Sequence, residues 1–454
     1  MRINPEEIQL AEHCLAQVLA QGASAARISL SKSVTDSFAL LDGELDKVTR
    51  CTDRSIFMHL YVDGRYGTYS TDRLEKEELD SFVRQTVAAT RLLAPDPLRS
   101  LPDPSRCAKD AVTGLESGLY DPEYETLEPQ NRLELAMASQ PRVDAPQGCR
   151  IASIESEYSD NIDDNLILDS NGLRARHTET SFSVCCEVTL EDSQGRKYSG
   201  YWWEASAFLG KLRELLPDCL PTAVERAAAQ VGQGKARGGR RTMVVDRTVS
   251  SRLVAPLFSA LYGMAIQQKS SFLEGCLGEK VFSEGLTIMD LPRERGMNGA
   301  RLFDTEGVAT LNRPVIEKGR VGMYFLDNYS AGKLGTEPTI EGPSVPVLMP
   351  YAGEGCNIPG NEINLPHILK ECRNGILVTG FNGGNCNGTT GDFSYGVEGF
   401  TFSRGKIRRP VHGLVVTGNM KDLWSSLLMA GSDARKCSRW QIPTLAFGDV
   451  SFSS

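Results

Sequence analysis

Histidine is scarce in this sequence, and its spacing excludes one common kind of catalytic site. None of the five histidines is followed by glutamate, and no two lie within five residues of each other: His13, His59, His177, His367 and His412. A zinc peptidase usually holds its metal with closely spaced histidines and activates water with a nearby glutamate. The sequence therefore contains no local zinc motif, and only ligands from distant positions could assemble one.

Motifs for phosphate binding and for an activated serine are missing as well. No GxGxxG precedes a helix near the N-terminus, and no GxSxG occurs. The segment Ser330–Gly335, "SAGKLG", is similar to a P-loop, but Asp327 stands where the first glycine is required and Leu334 where serine or threonine is required. The carboxylate pair Asp163 and Asp164 is predicted to lie in a solvated polar turn.

An excess of basic residues is also absent. The chain has 49 Lys and Arg against 58 Asp and Glu, a net charge of −9 and a pI near 5.3. A nucleic-acid interface needs clustered Lys and Arg that displace counterions from the phosphates. The one basic cluster, "KARGGRR" over Lys235–Arg241, is interrupted by glycines, and we interpret it as a solvated linker. Direct binding of nucleic acid is therefore not expected.

The sequence has no long apolar run and no CxxC pair. No stretch approaches the roughly 20 apolar residues that cross a bilayer, and the opening "MRINPEEIQLAEH" has acids where a signal peptide needs an apolar core. The 12 cysteines are scattered, and the one adjacent pair, Cys185 and Cys186, lies in the apolar run "FSVCCEVTL". These features predict free, mostly buried thiols in a cytoplasmic protein without membrane contact.

The first half of the sequence predicts two similar units of helix and antiparallel strands. A helix over Glu6–Leu19 precedes four strand-like runs, and a second helix is expected from about Leu74, capped by Thr71 and Asp72. The pattern that starts at Leu40 recurs from Ile167, which favours a weak internal repeat over a chance similarity of two β-meanders. Residues 94–129 between the copies are rich in Pro, Asp and Ser and are predicted to be a linker.

The second half consists mainly of strand-like runs and glycine turns. One capped apolar helix starts at Ser250, with Pro256 in its first turn or at a kink, and the run "ARLFDTEGVAT" from Ala300 is predicted as a strand. The pattern as a whole predicts an α+β fold. We place an α+β domain with the internal repeat at residues 1–232 and a β-rich domain with few helices at 237–454.

The stretch "GFNGGNCNGTTGDFSYGVEG", Gly380–Gly399, is the most unusual in the sequence. Its flanks alternate like strands, so Gly380–Gly391 is predicted to be a long loop that joins them. Glycine and asparagine permit positive φ and close backbone approach, and ordering such a loop costs entropy. Two interpretations stay open at this point: a simple series of turns, or a wall of exposed backbone that holds a peptide or a partner loop.

A longer pattern around this stretch resembles a known family. The sequence from Asn374 is "NGILVTGFNGGNCNGTTGDFSYGVEGFTFSRGKIRRPVHGLVVTGNMKDLWSSL". It is similar to the C-terminal signature of the TldD/PmbA family, in which a glycine loop leads into TGDFS, a strand pair and a short helix. Three further blocks fit, starting at Lys269 ("KSSFLEGCLGEKVFSEGLTIMDLP"), Phe303 ("FDTEGVAT") and Tyr329 ("YSAGKLG"). The resemblance covers the second half closely and the first half by its layout.

The resemblance implies that this chain is the metal-free kind of family member. TldD-type chains carry HExxxH on the first long helix of the C-terminal domain and a late cysteine as a further ligand. PmbA-type chains, also called TldE, lack HExxxH and pair with a TldD-type chain. At Val254–Ser259 this sequence has "VAPLFS", and Cys437 stands near the place of the late cysteine. We therefore expect no metal, no cofactor and no catalytic residue in this chain, and zinc in a TldD-type partner.

The same resemblance implies a subunit of a TldD/TldE-type zinc metallopeptidase complex that degrades or processes unfolded peptides. The chain would form a heterodimer with a TldD-type subunit or a dimer with itself. The family also has the label modulator of DNA gyrase, which with a net charge of −9 is expected to act through proteolysis and not through DNA. Two alternatives stay open: a stand-alone peptidase, for which no nucleophile–base pair can be named, and a non-enzymatic regulatory binding protein.

The candidate peptide-binding residues lie in the glycine stretch, because exposed backbone there could hold an extended peptide by main-chain hydrogen bonds. They are Gly383, Gly384, Asn385, Asn387, Asp392, Phe393 and Ser394. Three positions depart from the family pattern. Relatives usually have a basic residue where Gly332 stands, and Cys386 and Tyr395 are local to this sequence. These departures leave the fine specificity of any bound peptide open.

Overall fold

The computed structural model describes residues 2–353 and 362–454, which form two compact units. The first unit combines three segments of the chain: Met1–Ala228, Arg293–Thr310 and Asp327–Glu337. The second unit consists of Ala229–Pro292, Leu311–Leu326 and Pro338–Ser454. Both units therefore contain residues from the second half of the sequence.

The described residues form helices of 5 to 16 residues and strands of 2 to 21 residues. The helices are α1 (Pro5–Ala20), α2 (Lys76–Thr90), α3 (Pro129–Ala138), α4 (Leu209–Leu215), α5 (Cys219–Ala228), α6 (Ser251–Leu261), α7 (Gly263–Gln267), α8 (Asn328–Leu334), α9 (Leu365–Cys372) and α10 (Met420–Ser425). The strands are β1 (Ala25–Leu41), β2 (Glu44–Val62), β3 (Arg65–Thr71), β4 (Cys149–Asp169), β5 (Arg174–Asp192), β6 (Lys197–Ser206), β7 (Gly234–Lys235), β8 (Gly239–Val245), β9 (Ile288–Asp290), β10 (Arg313–Glu317), β11 (Arg320–Val321), β12 (Pro346–Leu348), β13 (Asn374–Cys386), β14 (Asp392–Ser403), β15 (Lys406–Asn419), β16 (Leu427–Ala430) and β17 (Leu445–Ser453). Among these residues, no helix is both long enough and apolar enough to cross a bilayer.

The six-stranded sheet of the first unit contains the two antiparallel units predicted from the sequence, and their relation as an internal repeat stays a prediction. Its order is β3-β2-β1-β4-β5-β6, so two three-stranded meanders meet where β1 pairs with β4, for example at Leu30 and Leu166. All of its strand pairs are antiparallel. The four strand-like runs predicted for the first copy form three strands, because β1 and β2 continue through polar residues without a break.

Two clusters of buried side chains divide the helices between them. One packs α1 and α2 against β1, β2 and the end of β4, and the other packs α3, α4 and α5 against β4, β5 and the second half of β1. Helix α1 begins with a capping box, in which Asn4 and Glu7 each accept a hydrogen bond from the other's backbone. The predicted cap of α2 is wrong: β3 runs through Thr71, and the residue before the helix is Glu75.

The predicted linker, residues 94–129, is held along β5 by backbone hydrogen bonds. The amides of Arg176 and Thr178 each donate over 2.8 Å, to the carbonyls of Ala111 and Gly114. The chain then forms a short 3-10 turn at Pro122–Thr126. A segment poor in regular structure is thus ordered, because its backbone polar groups pair with a strand.

The expectation of a polar turn at Asp163 and Asp164 is wrong, since both residues lie inside β4. Asp164 is buried and accepts hydrogen bonds from the Arg176 guanidinium, the Thr178 hydroxyl and the Ile3 amide. A buried carboxylate needs such partners, and these come from distant parts of the chain.

The block that starts at Ala300 is also not a strand. In the first unit, Asp304 and Val308 close a turn in which the Asp304 amide donates to the Val308 carbonyl over 3.0 Å. The Asp304 side chain accepts from the Val308 amide at 2.9 Å, and Phe303 forms an isolated bridge with Ala309. The Asp304 carboxylate thus takes the place of a neighbouring strand as the hydrogen-bond acceptor for the Val308 amide.

The second unit contains a four-stranded sheet, β11-β10-β9-β12, and a seven-stranded sheet, β16-β17-β8-β13-β14-β15-β7. A further pairing of β17 with β15, at Val415–Thr417 and Ser451–Ser453, closes five strands of the larger sheet into a ring. Helix α9 covers the ring through a cluster that includes Ile368 and Phe402. The long strands and few helices agree with the predicted α+β class.

Candidate functional site

The glycine stretch forms a hairpin, and the predicted long loop over Gly380–Gly391 is wrong. Strand β13 continues through Cys386 and β14 starts at Asp392, so only residues 387–391 connect them. Two backbone bonds of 2.8 Å close this connection, from the Gly391 amide to the Asn387 carbonyl and from the Asn387 amide to the Asp392 carbonyl.

The glycines are required by the close approach of the two strands. The register shifts between Asn382 and Asn385, which indicates a bulge. A Cβ at Gly384 would lie 1.9 Å from the Ser394 carbonyl oxygen, and one at Gly396 would lie 2.4 Å from that of Asn382. Glycine in a strand often marks such an approach, so this composition belongs to a bulged hairpin and not to a loop.

The predicted peptide-binding residues lie together on this hairpin, with one side chain turned inward. Those exposed are Gly383, Gly384, Asn385, Asn387, Asp392 and Ser394. Phe393 is buried and stacks on Tyr395 with ring centroids 5.5 Å apart. Phe393 therefore supports the hairpin from beneath and presents no side chain to a ligand.

Asp392 is engaged by the hairpin itself. Its carboxylate accepts from the Asn419 amide nitrogen at 2.9 Å and from the Thr390 hydroxyl at 2.7 Å. These two hydrogen bonds hold the pKa of Asp392 below its usual value. Asn419 also donates to the Thr390 carbonyl and caps α10 by accepting from the Lys421 amide. The role of Asp392 visible here is to fix the connection between strands.

The outer edge of β13 is the accessible feature of the hairpin. Strand β8 pairs with β13 only at Ile376–Val378. From Thr379 to Cys386, no strand among residues 2–353 and 362–454 pairs with the side of β13 opposite β14. Such an edge presents unpaired backbone N–H and C=O groups that can bind another strand.

Arg252 of α6 lies beside this edge, and no motif in the sequence pointed to it. Its guanidinium donates to the Gly384 carbonyl at 3.3 Å and lies 5.2 Å from the centre of the Tyr395 ring. A cation over an aromatic face is attracted by the ring quadrupole. This hydrogen bond shows that the Gly384 carbonyl points outward. Arg252 also places a positive charge next to the open edge of β13.

The described residues of the second unit do not fit a zinc ion. In α6, the positions expected for HExxxH include Val254, Leu257 and Phe258, which are buried apolar side chains. Pro256 lies inside this helix, beyond its first turn. Within the described ranges, no three His, Cys, Asp or Glu side chains form a group that could hold a metal, and Cys437 belongs to no such group. Zinc needs three or four such ligands.

Sequence comparison places this architecture in one family. Models of the PmbA/TldA metallopeptidase domain 1, central domain and C-terminal domain match residues 26–90, 121–231 and 238–454. The chain belongs to the PmbA/TldD family of metallopeptidases. It is 26% identical over 428 residues to the metalloprotease PmbA of Escherichia coli O157:H7, which covers 93% of this chain and 91% of that protein.

Solved structures agree with this assignment. A Bacteroides thetaiotaomicron protein described as a candidate modulator of DNA gyrase is 40% identical over the full length of both chains, with a TM-score of 0.92. TldE of Thermococcus kodakarensis is 18% identical, covers 98% of this chain and 100% of its own, and has a TM-score of 0.80. The second similarity concerns the fold alone.

Proposed function

We propose that this chain is the metal-free, PmbA/TldE-like subunit of a zinc metallopeptidase complex and holds an unfolded peptide along the open edge of β13. The observation that carries this proposal is the edge from Thr379 to Cys386, which lacks a strand partner among the described residues. The chain would contribute binding and positioning, and the zinc chemistry would belong to a TldD-type partner.

An extended peptide fits the edge because strand addition uses only main-chain groups. At about 3.3 Å per residue, a bound strand can pair with the extended parts of β13 on either side of the bulge at Asn382–Asn385, and alternate peptide amides point toward it. The residues Asn382–Asn385 themselves add no bulky apolar side chain to the edge, where Arg252 donates to the Gly384 carbonyl. Such a surface suits unfolded substrates of varied sequence, since side chains contribute little to the contact.

The mode of binding can be tested with backbone-methylated peptides. An unfolded peptide of eight to ten residues is compared with two versions in which alternate amides carry N-methyl groups, in the two possible registers. Each main-chain bond contributes about 1 kcal/mol, so blocking three amides in the bound register weakens binding on the order of 100-fold. The other register serves as the control and keeps most of the affinity. Equal affinity of all three peptides would rule out strand addition.

The subunit role requires a second experiment. Zinc content and peptide hydrolysis are measured for this chain alone, for a TldD-type homologue from the same genome alone, and for the mixture. We expect no stoichiometric zinc in this chain, and activity only where the TldD-type chain is present, with loss on chelation. Hydrolysis by the isolated chain that survives a chelator would favour the stand-alone peptidase and refute this role.

The complex would act in the cytoplasm as a dimer, with this chain paired to a TldD-type subunit or to itself. An effect on gyrase, as in the description of the Bacteroides thetaiotaomicron relative, would arise through hydrolysis of a peptide. A net charge of −9 opposes direct binding to DNA. Tight, salt-sensitive binding of duplex DNA by the purified chain would contradict this view and favour a regulatory binding protein.

A further inference from the structure

A second set of polar groups lies in the first unit, where the proposed function does not use it. Arg99, in the predicted linker, has its guanidinium between two tyrosine rings, 4.7 Å from the centre of Tyr66 and 3.3 Å from that of Tyr329. Within the part of the chain that the structure describes, the Arg99 side chain forms no hydrogen bond and no ion pair. The rings fix the plane of a cation whose five N–H donors are unused.

The nearest carboxylate is already engaged by other groups. Asp96 accepts from the Tyr329 hydroxyl at 2.8 Å, and the Lys333 ammonium lies 3.9 Å from the same carboxylate. Arg99 is therefore held by aromatic faces and is not neutralised by a direct acidic partner. Stacking of this kind restricts an arginine before a ligand binds, which lowers the entropy that binding costs.

The hydroxyl of Tyr66 provides a donor beside Arg99. Burial, with Arg27 and Arg99 close by, lowers the pKa of His59 to about 3, so the ring is neutral. Arg27 Nη2 lies 3.1 Å from His59 Nε2 and 3.4 Å from Nδ1, and Nδ1 lies 2.7 Å from the Tyr66 hydroxyl oxygen. With the His59 proton on Nδ1, that nitrogen donates to the Tyr66 oxygen, and the Tyr66 hydroxyl is free to donate to a ligand.

Arg27 adds a second positive charge behind these groups. It is 3% exposed, its Nη1 donates to the Glu306 carbonyl at 3.3 Å, and its Nε has no hydrogen-bond partner. No carboxylate among the described residues lies within 4.0 Å of this guanidinium. A buried cation without a direct counter-ion is costly, and a bound anion would reduce that cost.

We propose that Arg99 and Tyr66, supported by Arg27 and Glu306, bind the carboxylate group of a ligand. Arg99 would offer its planar fork to both oxygens, and the Tyr66 hydroxyl would donate to one of them. The carboxylates of Glu306 and Asp96 border the site, so a singly charged anion is preferred over a doubly charged phosphate. This proposal does not depend on the peptide edge of the second unit.

Glu306 makes the proposed site sensitive to pH. One of its carboxylate oxygens accepts from the Asn328 amide at 3.0 Å. Burial raises the pKa of Glu306 to about 7, with Asp304 and Asp327 adding to the effect and Arg27 and the Asn328 amide opposing it. Tyr61 and Tyr66 are further titratable groups whose ionisation couples to that of Glu306. An anion should therefore bind better when Glu306 is protonated.

Calorimetric titration of the full-length protein with acetate, acetamide and inorganic phosphate tests the site. We expect acetate to bind more tightly than phosphate, and acetamide not to bind. Arg99→Gln should weaken acetate binding at least tenfold and Tyr66→Phe severalfold. The control Arg213→Gln, at an exposed cation of the same unit that pairs with Glu123, should have no effect. Equal binding of acetate and acetamide, tighter binding of phosphate, or unchanged binding by both site variants would overturn the proposal.

The pH dependence gives a readout that a purely structural role would not change. Acetate affinity of the wild type should fall about tenfold per pH unit above pH 7 and level off below it. Glu306→Gln should remove this slope, so that its affinity at pH 8 matches that of the wild type at pH 6. An unchanged slope in Glu306→Gln would contradict the assignment. Short peptides with free or amidated C-termini then distinguish a peptide terminus from a small free acid as the source of the carboxylate.

Discussion

Individual charged residues inside the first unit depend on partners from other elements. Arg132 of α3 is 1% exposed and donates to both oxygens of Asp160 in β4, at 2.7 and 3.0 Å. The Tyr158 hydroxyl donates to the same carboxylate at 2.9 Å. The sequence alone did not predict this pair or the burial of Asp164, because neither partner is a neighbour within one helix turn or strand. The periodicity of apolar residues identifies which face of an element is buried. It does not identify which charged side chains will be buried with that face.

Loss of one member of the Arg132–Asp160 pair should be strongly destabilising. Arg132→Met leaves a buried carboxylate without its cation, and we expect the free energy of unfolding to fall by about 3–5 kcal/mol. The matched control is Arg213→Met, which breaks an exposed pair and should cost below about 1 kcal/mol. Urea unfolding measures the loss of stability in each variant. Similar losses would show that the buried pair contributes no more to stability than the exposed pair.

Glu306 should make the stability of the first unit depend on pH. Its pKa is about 7 in the folded protein against 4.5 for a fully solvated glutamate, so the folded state holds a proton that the unfolded state releases. Its contribution to stability is therefore complete below pH 4.5 and is lost as pH rises to about 7. Glu306→Gln should become more stable relative to the wild type over this range, by roughly 3 kcal/mol at most. A difference that stays constant from pH 5 to 8 would contradict this assignment.

At the scale of elements, the hairpin of β13 and β14 shows what composition can and cannot indicate. The alternating flanks predicted two strands, and both are present. The strands extend into the glycine stretch because glycine there accommodates close backbone contact as well as turns, and composition does not distinguish these two uses. The sequence could not predict the open edge of β13 either, because that edge depends on where the pairing of β8 with β13 ends.

Two neighbouring glycines allow the role of close approach to be tested. Gly383 and Gly384 have φ of 64° and 77°, but only at Gly384 would a Cβ meet a backbone atom, 1.9 Å away. Gly383→Ala should lower the free energy of unfolding by only about 1–2 kcal/mol, because alanine is strained at this positive φ. Gly384→Ala should lower it further and should abolish peptide binding. Hydrogen exchange at the Cys386 and Phe393 amides measures the local effect, and equal protection in the two variants would refute the close-contact explanation.

Asn419 links the hairpin connection to α10. Removing its side chain in Asn419→Ala takes away the first of the two hydrogen bonds that lower the pKa of Asp392. We expect the Asp392 pKa, followed by NMR, to move back up toward its ordinary value, and α10 to lose about 1 kcal/mol of capping. Thr390→Val removes the other hydrogen bond without touching the cap. An Asp392 pKa that stays unchanged in both variants would mean that these bonds do not control it.

For the whole molecule, the sequence predicted the class of fold and the two antiparallel units of the first half, because both follow from local periodicity. The membership of Arg293–Thr310 and Asp327–Glu337 in the first unit could not be predicted in this way. It depends on contacts such as that of the Ala108 amide with the Gly307 carbonyl, at 3.0 Å, and on the burial of Phe303 beside Leu173. The boundary placed between residues 232 and 237 stays a prediction.

That boundary can be tested with a fragment of residues 1–232. The fragment lacks Phe303, Val308 and α8, and the cluster around Cys107 and Ile167 would be left partly exposed. We expect a lower thermal midpoint than for the same unit in the full chain, with partial recovery when a peptide of residues 293–310 is added. A scrambled peptide is the control. Unfolding of the fragment at the full-chain temperature would support a self-contained domain over residues 1–232.

The division of the first unit into three chain segments also constrains its folding during synthesis. A ribosome adds roughly 5–20 residues per second, and domains generally fold as they emerge. The first unit is complete only after Glu337 has been made, whereas its sheet ends at Ser206. During this interval, parts of the second unit such as β8 and α6 are already present. The nascent chain must therefore carry an unfinished apolar surface on the first unit while it starts to make the second.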